Sequence, residues 1–314
     1  MKWFKLSARD VAFVGVFAAL SAIVAEVVPG IPIVGYSGAS IKFDASLAPI
    51  YGLVIGPYLG FLAGFIGGVV VADNWFSVLT SFCTATSALV AGLLTQKNFR
   101  SGGHSIRGWV VAATVLGLLI LGWYATWVGQ GAPFYPVLHF LGLAIILASR
   151  GWLATGFGEG SEEQEKGWTL NSDYVFCGTL IAAFGYFVRL IASLGNLVWN
   201  SLSFVWDSFP YLSILLYFVG IVTALYGLFG GRKFVVAVGL ASYCGIIADH
   251  MLGNLIFIGA MGILVPKFPN PSGLFMTVLP ISAVERFVLT TIATLMGVSL
   301  VFTLRRAGFF PRKL

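Results

Sequence analysis

Several polar side chains lie inside otherwise apolar stretches near the end of the sequence, where they could bind a polar ligand. The two stretches are 234–263 and 275–304, and the polar residues in them are Asp249, His250, Asn254, Glu285 and Arg286. A charged group in apolar surroundings is costly unless it has a partner or faces a cavity. Counted from the ends of their stretches, Asp249 and Glu285 lie at similar depth, so these groups are expected to approach one another.

Two interpretations of these residues remain open. In one, Asp249, Asn254 and either Glu285 or Arg286 line a polar cavity that opens to the outer face. In the other, Asp249 or Glu285 forms a structural ion pair with Arg286 and ties the two stretches together. His250 follows Asp249 but points about 100° away around a helix.

Composition sets the environment of these groups. The chain has 314 residues, of which 58% are hydrophobic and 10% are charged, whereas soluble domains contain about 25% charged residues. It is therefore predicted to be an all-α integral membrane protein. Ten membrane segments are predicted, at about 9–28, 45–56, 57–73, 75–95, 108–128, 134–149, 174–199, 209–229, 234–263 and 275–304.

Basic residues predict the orientation of these segments. If the N-terminus is inside, 14 of the 18 Lys and Arg residues fall on the inner side, and only Lys42 and Lys267 fall outside. Cytoplasmic loops are enriched in Lys and Arg, so ten crossings with both termini cytoplasmic are predicted. The net charge of +6 is explained by these loops, and no nucleic-acid partner is expected.

The stretch 43–75 is long for one crossing and short for two. Pro57 lacks an N–H group, and the residue before a proline avoids the α region, so a break is predicted at Gly56. The result is a tight hairpin with Asp44 and Asp73 at its outer ends. Its many glycine and alanine residues permit close helix packing.

Known catalytic and metal-binding motifs are missing from the sequence. The three cysteines have no metal-ligand spacing, and HExxH, CxxC, GxSxG and phosphate-loop patterns do not occur. The prediction is a protein that is not an enzyme and has no cofactor or metal site, and any ATPase that energises it must be a separate chain.

Two regions resemble a known family. The first contains ARDVAFVGVFAALSAIVAEVVPGIPIVG and FDASLAPIYGLVIGPYLGFLAGFIGG, and the second contains DHMLGN followed by LPISAVERFVLTTIATLMG. These patterns resemble the substrate-binding S component of energy-coupling factor (ECF) transporters. The resemblance implies a six-helix core with both termini inside, made from residues 1–96 and 234–314. Residues 97–233 would then hold a four-helix insertion.

The resemblance also implies partners. In such transporters an Ala-x-x-x-Ala pattern on the first helix docks on the membrane T component, and separate ATP-binding subunits supply energy. Ala8 and Ala12 match that pattern, and Gly15 continues the small-residue stripe. Small residues on one helix face also suit packing within a single chain, so the stripe has both interpretations.

The loop 30–43 is expected to cover a bound substrate, since the corresponding S-component loop does so. The topology places the residues of this outer mouth together, and they are Tyr36, Lys42, Asp44, Asp73 and Asn74. Such a rim suits a small planar or zwitterionic molecule, although Tyr at this level also fits an interfacial belt. The predicted function is capture of a small, vitamin-like organic nutrient for import. The alternative is a non-transporting membrane scaffold subunit.

Overall fold

The structure is a computed structural model, and it describes residues 6–28, 31–32, 40–41, 43–101, 104–158, 179–182, 185, 213, 220 and 233–309. The helices in these ranges are α1 (Ala8–Val27), α2 (Asp44–Ile55), α3 (Pro57–Val70), α4 (Trp75–Leu94), α5 (Gly108–Ala125), α6 (Trp127–Gly131), α7 (Val137–Ser149), α8 (Trp152–Gly156), α9 (Lys233–Ala260) and α10 (Pro271–Arg306). Tyr36, Lys42 and most of the predicted seventh and eighth segments lie outside the described residues.

Five of the described helices, α1, α4, α5, α9 and α10, are long and apolar enough to cross a membrane. The helices α2, α3 and α7 are apolar but shorter. With 12 residues, α2 is about 18 Å long, less than the roughly 30 Å of a bilayer core. The chain is a multi-pass membrane protein, while the predicted count of ten crossings stays a prediction.

Local signals in the sequence define where several helices begin. Ser7 and Asp10 form a reciprocal capping box at the start of α1. Asn74 caps α4 by accepting a hydrogen bond from the Ser77 amide, and Asn270 caps α10 in the same way. These side chains bond to amide groups that have no partner within the helix.

The predicted break at Gly56 is confirmed. The residue has φ +85° and ψ 171°, which ends α2, and Pro57 is the first residue of α3. A positive φ is readily adopted by glycine, and proline is well suited to the first helical position. The two helices pack against each other directly after the turn, so the stretch forms a helical hairpin.

Glycine brings this hairpin into backbone contact with α4. A methyl group at Gly52 would collide with the Ala88 carbonyl oxygen of α4. One at Gly92 of α4 would lie 2.7 Å from the Pro57 nitrogen and 2.9 Å from the Gly52 oxygen. The predicted close packing of the small residues is thus an approach of main chain to main chain.

Helix α9 packs against α4 at the centre of the bundle. Helix α9 also contacts α2, α5, α7, α8 and α10, whereas α1 packs on α2 and α3. At Gly245 a side chain would lie 2.7 Å from the Ser87 carbonyl oxygen of α4. The core of the described chain therefore joins its first four helices to its last two.

Two short antiparallel strand pairs accompany the helices. β1 (Ile31–Pro32) pairs with β2 (Ser40–Ile41), at the two ends of the predicted covering loop. β3 (Asn98–Ser101) pairs with β4 (His104–Arg107). The basic connection between α4 and α5 is therefore a β-hairpin.

The predicted fifth and sixth segments differ from the helices observed. Helix α5 ends at Ala125 rather than near residue 128, and the short α6 follows it. Helix α7 begins at Val137 rather than at residue 134. Pro133 and Pro136 lie in the turn between α6 and α7, where proline favours a turn over a continued helix.

One end of the bundle carries most of the described basic side chains. The Arg9 guanidinium near the start of α1 lies 5.7 Å from the centre of the Phe309 ring, just beyond α10. Arg305 lies between the Phe157 and Phe234 rings, 4.8 and 4.9 Å from their centres. The start of α1, the end of α10 and the start of α9 therefore share one end, which agrees with the predicted relative orientation of these segments.

Candidate functional site

Four charged side chains from three helices are buried in the bundle. They are Asp44 of α2, Asp249 of α9, and Glu285 and Arg286 of α10. Asp249 interacts electrostatically with the other three. The structure therefore brings together four of the residues predicted to bind substrate, and it places Asp44 inside the bundle rather than on an exposed rim.

The ion pair in this group lies within one helix. The Arg286 Nη2 atom is 3.0 Å from Glu285 Oε1, and both side chains are buried. In the described part of the chain Arg286 forms no ion pair with Asp249, and the Asp249 carboxylate has no hydrogen-bond partner. A buried ion pair with Arg286 is therefore present, as one interpretation predicted. It joins two neighbours on α10 and does not tie α9 to α10.

A second buried group centres on the hydroxyl of Tyr135, in the turn before α7. This oxygen lies 3.2 Å from His250 Nε2 and also accepts a hydrogen bond of 3.2 Å from the Asn254 amide nitrogen. His250 and Asn254 are four residues apart, so they share one face of α9. Tyr135 thus links α9 to a turn more than a hundred residues earlier in the chain.

Several nitrogen atoms of this group have no hydrogen-bond partner among the described residues. His139 of α7 is 1% exposed and stacks on His250, with ring centres 5.2 Å apart. Neither nitrogen of His139 is hydrogen-bonded with normal geometry, although the Pro136 backbone is nearby. His250 Nδ1 and Arg286 Nε also lack partners. Buried polar atoms are rarely left in this state, so a bound molecule or water is expected here.

Aromatic rings form the wall of this second group. Trp123 of α5 stacks on Tyr135 at 4.7 Å between ring centres, and Phe275 of α10 meets both rings edge-on at 5.0 Å. The Trp123 indole N–H donates to the Ala132 carbonyl oxygen. The wall is consequently fixed both by ring packing and by a main-chain contact.

Arg286 joins the two groups into one site. It lies close enough to interact electrostatically with Asp249 and also with Tyr135, His139 and His250. We call the combined set the buried polar cluster, and its members are Asp44, Tyr135, His139, Asp249, His250, Asn254, Glu285 and Arg286. The cluster offers carboxylate acceptors, imidazole nitrogens and a guanidinium within one apolar bundle.

Two other predicted binding residues, Asp73 and Asn74, lie at the start of α4. Asp73 and Asn74 are exposed, and their observed bonds are local, with Asp73 accepting from Asn74 and from the Ser77 hydroxyl, both at 2.8 Å. This geometry serves the start of α4. A sequence signal for it was available, because Asn followed three residues later by Ser just before an apolar run is a helix-start pattern.

Three members of the cluster were not predicted as binding residues, namely Tyr135, His139 and His250. His139 packs against His250, and neither of its ring nitrogens is in a hydrogen bond of normal geometry. A usable signal is the sequence Pro-Phe-Tyr-Pro before α7, because two prolines fix a turn and can hold an aromatic hydroxyl in place.

Replacing Tyr135 with phenylalanine is expected to weaken the α7–α9 contact. The change leaves His250 Nε2 and the Asn254 amide without their observed partner, and each unsatisfied buried group costs about 1–3 kcal/mol. The control is Tyr124→Phe, which removes a single bond to the Pro133 carbonyl oxygen at an exposed site. Thermal unfolding of the purified protein should show the larger loss for Tyr135→Phe, and equal losses would contradict the role of Tyr135.

A family model described as the S component of an ECF-type riboflavin transporter matches residues 5–133 of this chain. The match covers α1 to α6 and the turn that follows, which is less than half of the chain. No curated protein and no solved structure matches the chain. The sequence-based resemblance to ECF S components is therefore confirmed for the first part of the chain.

Proposed function

We propose that this membrane protein is the substrate-capture subunit of an ECF-type importer for a small, vitamin-like organic nutrient. The observation that carries the proposal is the match of residues 5–133 to an S component, a class of transporter subunit rather than of enzyme. Riboflavin is the substrate named by the matching family, and other small nutrients remain within the proposal.

The buried polar cluster supports the proposal as the capture site. Its groups come from α2, α9 and α10, and Tyr135 and His139 complete it from the turn before α7 and from α7 itself. A binding site for a small molecule combines apolar walls with a few convergent polar groups, and this cluster has both. Tyr36 and Lys42 are proposed to act above it from the outer loop, together with Asp73 and Asn74 at the rim.

The packing of the described helices supports the proposed domain organisation. Residues 1–96 and 234–314 form an S-component-like core, and 97–233 form an inserted region. Support comes from α4, which packs on both α2 and α9. The family match extends to residue 133, past the proposed start of the insertion at residue 97.

The exposed face of α1 is the proposed docking surface for a separate membrane T component. Ala8, Ala12 and Gly15 are all exposed, and a methyl group added at Gly15 would meet no atom within 4 Å. The alternative that this stripe packs within the chain has no support among the described residues. ATP-binding subunits, also separate chains, would act through the T component.

Replacing both Ala8 and Ala12 with leucine is expected to abolish co-purification with the T component. Leucine side chains would hold the two helices apart, because close packing in membranes depends on small residues. The matched control is Ala144→Leu, an exposed alanine on α7, which should leave co-purification unchanged. Recovery of T component at wild-type yield with the double variant would contradict the docking surface.

Native mass spectrometry of the gently solubilised protein distinguishes capture from the scaffold alternative. A bound metabolite that the cell can take up in a manner dependent on this protein supports capture. Stoichiometric protein partners without a bound metabolite, and unchanged uptake after deletion, would support a scaffold.

A further inference from the structure

We propose that the solute bound by the buried polar cluster is a small organic cation whose protonated amine pairs with Asp249. This inference rests on the proposed function, because it names the chemical class that the capture site takes. It goes beyond the resemblance, since riboflavin carries no positive charge at neutral pH.

The charges of the described cluster are unequal. Two carboxylates, those of Asp249 and Glu285, share the single buried guanidinium, that of Arg286, among the described residues of α9 and α10. The Arg286 guanidinium is already engaged by Glu285 at 3.0 Å. Glu285 therefore has a positively charged group in direct contact, whereas Asp249 has none among the described residues.

The Asp249 carboxylate is buried without a hydrogen-bond or ion-pair partner among the described residues. It is 7% exposed, and in the described part of the chain its carboxylate takes part in no hydrogen bond and no ion pair. A buried charge without a partner is strongly unfavourable. An ammonium group in contact with this carboxylate would remove that cost and would supply up to three N–H donors.

The neighbouring histidines add a second, independent sign of a ligand. His250 is 9% exposed, directly follows Asp249, and has no partner at Nδ1. The buried His139 stacks on it, and neither His139 nitrogen is in a hydrogen bond of normal geometry. If Tyr135 donates to His250 Nε2, the proton of the neutral ring lies on Nδ1 and requires an acceptor. The cation is therefore expected to carry an oxygen or nitrogen acceptor beside its amine.

Aromatic rings next to these groups suit the same ligand. Tyr135 contacts His250 and stacks on Trp123, and a cation gains additional attraction from an aromatic face. A ring-bearing amine with one ether oxygen would therefore match the carboxylate, the imidazole and the aromatic wall together.

The test compares two probes that differ in the charged group, 2-phenoxyethylamine and 2-phenoxyethanol, with riboflavin as a third. Each is titrated into the full-length purified protein, at matched salt, and binding is followed by the shift in melting temperature. The amine is expected to stabilise the wild-type protein at concentrations at least tenfold below those needed for the alcohol. Asp249→Asn should weaken the effect of the amine at least tenfold, whereas Asp10→Asn, at an acid of the α1 capping box outside the site, should not.

Three results would overturn the assignment of a cation. They are no stabilisation by the amine, equal or tighter binding of the alcohol or of riboflavin, or a response to the amine that survives Asp249→Asn. Tight binding of riboflavin would at the same time support capture, so failure of this inference is distinguishable from failure of the proposed function. Loss of T-component docking, measured separately, bears on the proposed function alone.

Discussion

Replacing Gly52 with alanine is expected to destabilise the protein by at least about 3 kcal/mol and to reduce the yield of folded material sharply. Overpacking a core costs about 1–3 kcal/mol when side chains can adjust. Here the added methyl group would strike the Ala88 carbonyl oxygen, which is main chain of a neighbouring helix. Relief requires α2 and α4 to separate, which would disturb every contact along that interface.

The matched control is Gly117→Ala on α5, where an added methyl group would meet nothing within 4 Å. Alanine is better than glycine inside a helix by roughly 0.5–1 kcal/mol, so this variant is expected to be at least as stable as the wild type. Thermal unfolding in detergent, with size-exclusion chromatography to measure monodispersity, compares the two. If Gly52→Ala melts at the same temperature as Gly117→Ala, the main-chain contact is not what holds α2 on α4.

Replacing Arg286 with methionine is expected to cost about 3–5 kcal/mol, since it removes one partner of a buried ion pair and leaves Glu285 uncompensated. Arg286 also interacts electrostatically with Asp249. Without Arg286, the carboxylates would have no positively charged side chain in the cluster. The expected result is a large fall in melting temperature.

The double variant Glu285→Leu/Arg286→Met separates the loss of the pair from the effect of an unpaired charge. Replacing a buried pair by apolar residues is often neutral for stability, so the double variant should recover most of the melting temperature lost by Arg286→Met. A double variant as unstable as the single one would show that the charge pair itself stabilises the bundle.

Local chemistry explains which parts of the fold could be predicted. The break at Gly56 follows from the missing N–H of Pro57 and the restricted backbone before it, and neither depends on the rest of the chain. The burial of Asp249 and Arg286 followed from their apolar neighbours in sequence. The starts of α1 and α9 and the end of α10 lie at one end of the bundle, as the basic residues near them predict, while their orientation in the membrane stays a prediction.

Contacts between distant parts of the chain explain what was missed. The role of Tyr135 depends on His250 and Asn254, which are 115 and 119 residues away in sequence. No periodicity or spacing in a single sequence links such positions. Asp44 was expected at an exposed mouth, and it is buried because α2 packs against α9 and α10, a contact that sequence position alone does not show.

The packing of α4 against α9 also determines how the protein must be made. Between the end of α4 at Leu94 and the start of α9 at Lys233 lie 138 residues. At roughly 5–20 residues per second, a ribosome needs about 7–28 s to synthesise that interval. For this time the face of α4 that will receive Gly245 is without its partner, so the α1–α4 part of the nascent chain must persist in the bilayer as an incomplete folding unit.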